Sequence, residues 1–153
     1  MTISKAFSVP SRAILYRLSA SILLLTAISG RAALAETRMS FDGDWMATLT
    51  CPASPDGALG FSFQFPGSVK DGVFHGERGT SHEPGWLQLD GKIEAGGSAS
   101  MIAEGVTNIR AYAVANAAKG TPYKHAVTAK FDGGAGHGSW ITIRTCTFDF
   151  QKR

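Results

Sequence analysis

Residues 139–150 read S-W-I-T-I-R-T-C-T-F-D-F. Trp140, Thr142, Arg144, Cys146, Phe148 and Phe150 fall on one side of an extended chain, because strand side chains alternate with a period of two. This is the longest expected strand, and it carries Cys146 on its apolar side. The other cysteine, Cys51, closes a second alternating run in which Trp45, Ala47, Leu49 and Cys51 share a face. A Cys51–Cys146 bond suits this pattern, since both thiols point inward. It closes a loop of 95 residues and brings the first and last strands side by side or face to face. Either the sheet closes into a barrel or the bond joins the two sheets of a sandwich. A closed or nearly closed antiparallel barrel of about eight strands is favoured, eight being the small size whose interior side chains can just fill.

Between these two runs, Gly and Pro punctuate the chain at strand-sized intervals: Pro55-Asp56-Gly57, Asp71-Gly72, Pro84-Gly85, Asp90-Gly91, Gly96-Gly97, Gly120-Thr121-Pro122 and Asp132-Gly133-Gly134. Phe61, Phe63 and Phe65 alternate on one face of a second strand. Asp71-Gly72 and Asp90-Gly91 both read as hairpin turns. Residues 98–104 and 126–131 are also expected strands. Residues 108–116 are expected to be extended as well and to form a hairpin with 123–131, although their alanines favour helix. Arg144 is the polar exception on an inward face. It requires either a carboxylate such as Asp42 or Asp44, or a bulge that turns it outward.

The first 35 residues hold Lys5, Arg12, Arg17 and Arg31 and no acid, an apolar run from Leu18 to Ile28, and a small-x-small ending at Ala33-Leu34-Ala35. That is the pattern of a signal peptide cut before Glu36. The apolar run is shorter than the ~20 residues of a membrane-spanning helix, and no comparable run follows. The expected product is one antiparallel β domain over 36–153, periplasmic or secreted, without a membrane span. Four of the fifteen Lys/Arg lie in the discarded segment, leaving eleven against twelve Asp/Glu and a formal charge of −1. No basic cluster remains to trace a phosphate backbone, so nucleic acid is not an expected partner. Two cysteines in an exported chain are expected to pair as a staple.

Residues 75–86, H-G-E-R-G-T-S-H-E-P-G-W, concentrate ligand-type side chains. His75, Glu77 and His82 offer three zinc-type donors, but their spacing matches no established ligand signature. Gly76, Gly79, Pro84 and Gly85 favour a polar turn. His125 and His137 are the remaining imidazoles. His137 lies in G-G-A-G-H-G (133–138), which lacks the following helix that an anion-binding glycine loop requires and reads as a hairpin connection. No nucleophile motif is present, and Asp42 in F-D-G reads as a turn or strand-start residue. No catalytic residue, metal or cofactor is therefore expected. Trp86, at a loop edge, is expected to rim a binding mouth together with His75, Glu77 and His82.

Phe41-Asp42-Gly43-Asp44-Trp45 with Cys51 six residues on, Gly72-x-x-x-Gly76, L-Q-L-D-G-K-I at 87–93 and Cys146-Thr147-Phe148 together resemble an uncharacterised family of small exported proteins of Gram-negative bacteria. The resemblance covers nearly all of 36–153. It implies a periplasmic or secreted β domain and carries no catalytic residues. Gly43-Asp44-Trp45 is also similar to the G-x-W opening of lipocalin-like barrels, although 118 residues is short for a barrel with a roomy cavity. The expected function is a non-enzymatic binding module for a small ligand or an envelope protein partner. The rival readings are an inhibitor of an exported hydrolase and a metal-dependent enzyme using the 75–83 His/Glu cluster.

Overall fold

The computed structural model describes residues 41–153; the signal peptide expected over 1–35 and its cleavage point before Glu36 lie outside the described residues. Eight strands follow one another: β1 (Gly43–Cys51), β2 (Phe61–Lys70), β3 (Val73–Arg78), β4 (Leu87–Ile93), β5 (Ser98–Val106), β6 (Pro122–Asp132), β7 (Ala135–Ile141) and β8 (Thr145–Lys152). Each is antiparallel to the next, and β8 returns to pair with β1, Trp45 opposite Lys152 and Leu49 opposite Phe148. The sheet is a closed up-and-down barrel. Cys51 and Cys146 bond one step beyond the last β1–β8 pair, so the disulfide staples the two strands that close the barrel and does not bridge two sheets.

The interior divides into two halves. At one end Trp45, Phe74, Phe131 and Phe150 pack in edge-on and tilted contacts, with Phe41 laid against Phe131 as a plug. The Trp45 indole N–H donates to the Phe41 carbonyl at 2.9 Å, and both carboxylate oxygens of Asp42 accept from the Asp71 and Gly72 N–H groups at 3.0 Å. The F-D-G-D-W stretch is therefore the closure of this end. Its Phe and Trp seal the core, and its first Asp caps the β2–β3 turn. That turn has two central residues, Asp71 and Gly72, both at positive φ, the type I′ geometry expected for an Asp-Gly hairpin.

Four expected elements differ. Residues 139–150 are two strands, β7 and β8, joined by Thr142-Ile143-Arg144, where the Thr142 N–H donates to the Arg144 carbonyl at 2.9 Å. No Gly, Pro or Asn marks this turn. Because Trp140 pairs directly with Cys146, inward positions stay in phase across the reversal, and the alternation runs on as if unbroken. Asp90-Gly91 lies inside β4; the turn falls at Glu94–Gly97. Gly91 is needed for space, since a Cβ there would lie 2.5 Å from the Met101 Cα and the Ser100 carbonyl of β5. Residues 108–116 form two short 3-10 turns, Arg110–Tyr112 and Val114–Asn116, and β6 pairs instead with β5. Similarly, in the G-G-A-G-H-G segment only Gly133-Gly134 turns; Ala135 onward is already β7.

Replacing both cysteines (Cys51→Ala with Cys146→Ala) is expected to lower unfolding stability by about 4–5 kcal/mol in the chain-entropy account of a 95-residue loop. Urea denaturation measures the loss. Far-ultraviolet circular dichroism should remain that of an all-β protein, because the β1–β8 ladder closes the barrel without the sulfurs.

Candidate functional site

At the end opposite the aromatic plug the barrel is not filled. A cavity of about 330 Å³ opens there, at the lower end of the size range of small-ligand sites and larger than expected for a chain this short. Phe61 and Phe63 of β2, Leu87 of β4, Tyr123 and His125 of β6, and Trp140 of β7 form its walls. The β5–β6 loop, residues 107–121, contributes Ile109, Tyr112 and Val114 as a roof. The alternation that buries Phe65 and Val127 deeper in the barrel also brings Phe61, Phe63, Tyr123 and His125 inward near the mouth.

Arg144 organises this mouth. Only 8% exposed, it donates from Nη1 to the carbonyls of Pro52 (2.9 Å) and Leu59 (2.8 Å) and from Nη2 to that of Tyr112 (2.7 Å). Its partners are thus loop carbonyls, not Asp42 or Asp44. Asp42 caps the β2–β3 turn at the far end of the barrel. Nor does the turn at 142–144 release Arg144 outward. The three bonds tie the β1–β2 loop to the roof, helped by Leu59 N–H to the Ala111 carbonyl (2.8 Å) and Ala115 N–H to the Asp56 carboxylate (2.6 Å). Burial pulls the Arg144 pKa downward, partly opposed by the Asp56 charge. Asp56 itself is held below the usual carboxylate range, first by the Ser54 hydroxyl and then by the Ala115 N–H.

Across the mouth, Arg78 at the end of β3 lies 4.3 Å from the centroid of the Phe63 ring and donates to the Gly85 carbonyl at 3.2 Å. Arg144 lies 5.0 Å from that of Phe61, and the two Phe rings are stacked 5.7 Å apart. Tyr123, His125 and Trp140 form a second aromatic group, with His125 at 5.4 Å from Tyr123 and 5.0 Å from Trp140. Burial pushes the Tyr123 phenol up to about 12, against the opposing charge of Arg78, and pulls the His125 imidazole down. Neither the Tyr123 hydroxyl nor the His125 ring has a hydrogen-bond partner among the described residues.

Of the 75–86 stretch, Arg78 and Gly85 line the cavity, while His75, Glu77, His82 and Trp86 lie elsewhere, on the outer wall. His75 pairs with its cross-strand neighbour Asp90 at 2.6 Å, and Glu77 accepts from the Trp86 indole N–H at 2.6 Å. The His82 ring sits 4.9 Å from that of Trp86. Trp86 is 5% exposed and, with His82, borders an open groove beside Glu104 and Lys124, not the cavity. His75 is thus engaged with Asp90, and Glu77 and His82 both with Trp86. No group of three or more His, Cys, Asp or Glu side chains is placed to share a metal ion among the described residues. His137 likewise pairs across the strands with Asp149 at 2.6 Å. Of the four histidines only His125 faces the interior, where a polar residue at an inward strand position is the sequence signal that marks it. Comparison with protein-family models, with curated proteins and with solved structures finds no match to this chain.

Two outcomes follow from this geometry. Because burial depresses the folded-state pKa of His125, the unfolded chain takes up its proton first as pH falls below the ordinary 6.5, and stability is lost from there downward. His125→Gln should flatten this part of the pH–stability curve while leaving stability above pH 7 nearly unchanged, as thermal melts across pH would show. Arg144→Met leaves three loop carbonyls without their donor and should cost about 3 kcal/mol in urea unfolding. Hydrogen exchange should quicken in residues 107–121 before it does in the strands.

Proposed function

We propose that this chain is an exported, non-enzymatic β-barrel module that binds one small ligand in the cavity between the β2 phenylalanines and the Tyr123–His125–Trp140 group. The observation that carries this reading is the unequal filling of the barrel. One half is packed with aromatic rings, while the other encloses about 330 Å³ behind a roof sewn to the strands by a buried arginine. A purely structural barrel gains nothing from such a void, because lining side chains forgo contacts there. Aromatic walls with a few converging polar groups are instead what small-molecule sites share. The Cys51–Cys146 bond suits an oxidising compartment, in keeping with export.

A second reading, a protein partner such as an exported hydrolase, draws on one further feature. Leu59, Ile109, Ile141 and Ile143 are exposed at this same end, Ile141 by 78%. Apolar side chains gathered at one rim fit an interface better than a free surface does.

Native mass spectrometry of the protein taken from the envelope of the cell that makes it separates the two. The expected result is a co-bound small molecule, lost in Ala113→Phe, a roof substitution that fills the cavity without touching the strands. A protein adduct abolished by Ile141→Ser with Ile143→Ser would replace this reading with the second. An unliganded mass in every preparation, with no shift on soaking in small aromatic compounds, would remove the first.

A further inference from the structure

We infer that the ligand is an organic acid, a flat apolar body carrying a carboxylate, with Arg78 and Arg144 supplying the positive field that selects it. The inference rests on the reading of the cavity as a ligand site and names the class of molecule it takes.

The argument is one of charge. The cavity wall includes two guanidinium groups and no aspartate or glutamate. Neither arginine belongs to an ion pair among the described residues. Arg78 has a single carbonyl acceptor, and Arg144 has three carbonyl acceptors for five N–H groups. Carbonyl dipoles and aromatic faces stabilise a cation but leave its net charge intact. The Asp56 charge acts on Arg144 from the β1–β2 loop, where it is held by Ser54 and the Ala115 N–H, and it does not line the cavity. Desolvated cations normally sit beside anions, because removing them from water without a counter-charge is costly. Arg144 is the desolvated one here, and the exposed Arg78 adds a second positive charge at the mouth; with no carboxylate lining the cavity, an anion is the ligand whose charge complements it.

The neighbouring groups agree. The Tyr123 phenol stays protonated up to about pH 12 and is an O–H donor suited to a carboxylate oxygen. Phe61, Phe63, Tyr123 and Trp140 give the cavity an aromatic lining suited to an apolar body. A cationic ligand would face two like charges with no carboxylate in the cavity lining, and a neutral one would leave the guanidinium donors without an ionic partner.

The test uses the disulfide-bonded protein and a matched pair of probes, 1-naphthoate and 1-naphthamide, nearly equal in shape and differing in charge. Isothermal titration should find the acid bound about tenfold or more tightly than the amide, as charge-assisted hydrogen bonds to a guanidinium predict. Arg78→Gln should weaken naphthoate binding several-fold more than naphthamide binding, with Arg144 keeping the rest of the preference. Arg78 is exposed, so this variant should fold like the parent. Equal binding of the two probes would overturn the charge inference while leaving the cavity as a ligand site. Binding of neither would overturn both. An acid preference undiminished in Arg78→Gln and in a folded Arg144→Gln would also overturn the assignment, since the selectivity would then arise elsewhere.

Discussion

A sheet of eight strands has two open edges unless its first strand meets its last, and everything else in this molecule depends on that meeting. β1 and β8 pair over six residue positions, from Trp45–Lys152 to Thr50–Thr147, and the disulfide takes the next position. Closure fixes the interior volume, and it fixes which side of every strand faces that volume. From then on each inward residue competes for a shared and limited space. Glycine at inward positions is one solution. A Cβ on Gly76 would lie 3.0 Å from both the Phe65 and Phe74 rings, and one on Gly105 would lie 2.4 Å from Tyr123. Large rings on some strands require absent side chains on others.

The same constraint explains why the two ends differ. At the plugged end the chain enters through Phe41 and Trp45, and the short hairpins Asp71-Gly72 and Gly133-Gly134 add little bulk, so side chains from the strands themselves seal the core. At the other end the connections between β1 and β2 and between β5 and β6 are long and irregular. They lie over the mouth instead of filling it. Their backbone groups lack ladder partners and must find others, which is the accounting that any buried loop demands. Pairings such as Leu59 with Ala111, and Thr107 with Thr121, answer part of that demand.

How much of this the sequence disclosed depends on the kind of signal. Alternation at Trp45–Cys51 and Phe61–Phe65, and the two inward cysteines, led directly to the closed barrel, because burial on one face writes itself into every second residue. Asp71-Gly72 was legible because its positive φ values demand that dipeptide. Asp90-Gly91 was misleading because the same letters serve a different need, the approach of β5 across Gly91. The 142–144 turn was invisible, since a threonine hydroxyl and in-phase pairing stood in for glycine. The site followed the same logic. The 75–86 stretch drew attention by composition, yet composition does not say which face of the wall a side chain occupies, and cross-strand Asp90 answers His75 from outside. Tyr123 and His125 stand far from Arg78 in sequence, and only the barrel's register collects them at one mouth.

Arg144 shows why the roof and the cavity charge are one solution rather than two. The carbonyls of Pro52, Leu59 and Tyr112 converge on one point from two loops, and a single side chain with a forked set of N–H groups answers all three. An apolar residue there would cover the mouth but leave the carbonyls without donors. A glutamine has too few N–H groups, and a lysine presents a point charge on a flexible stem. Arginine meets the geometric demand, and in doing so it places a permanent charge beside the aromatic wall. Hydrogen bonding to neutral carbonyls makes that charge tolerable without cancelling it. A group selected to hold a roof together therefore also gives the space under the roof its polarity.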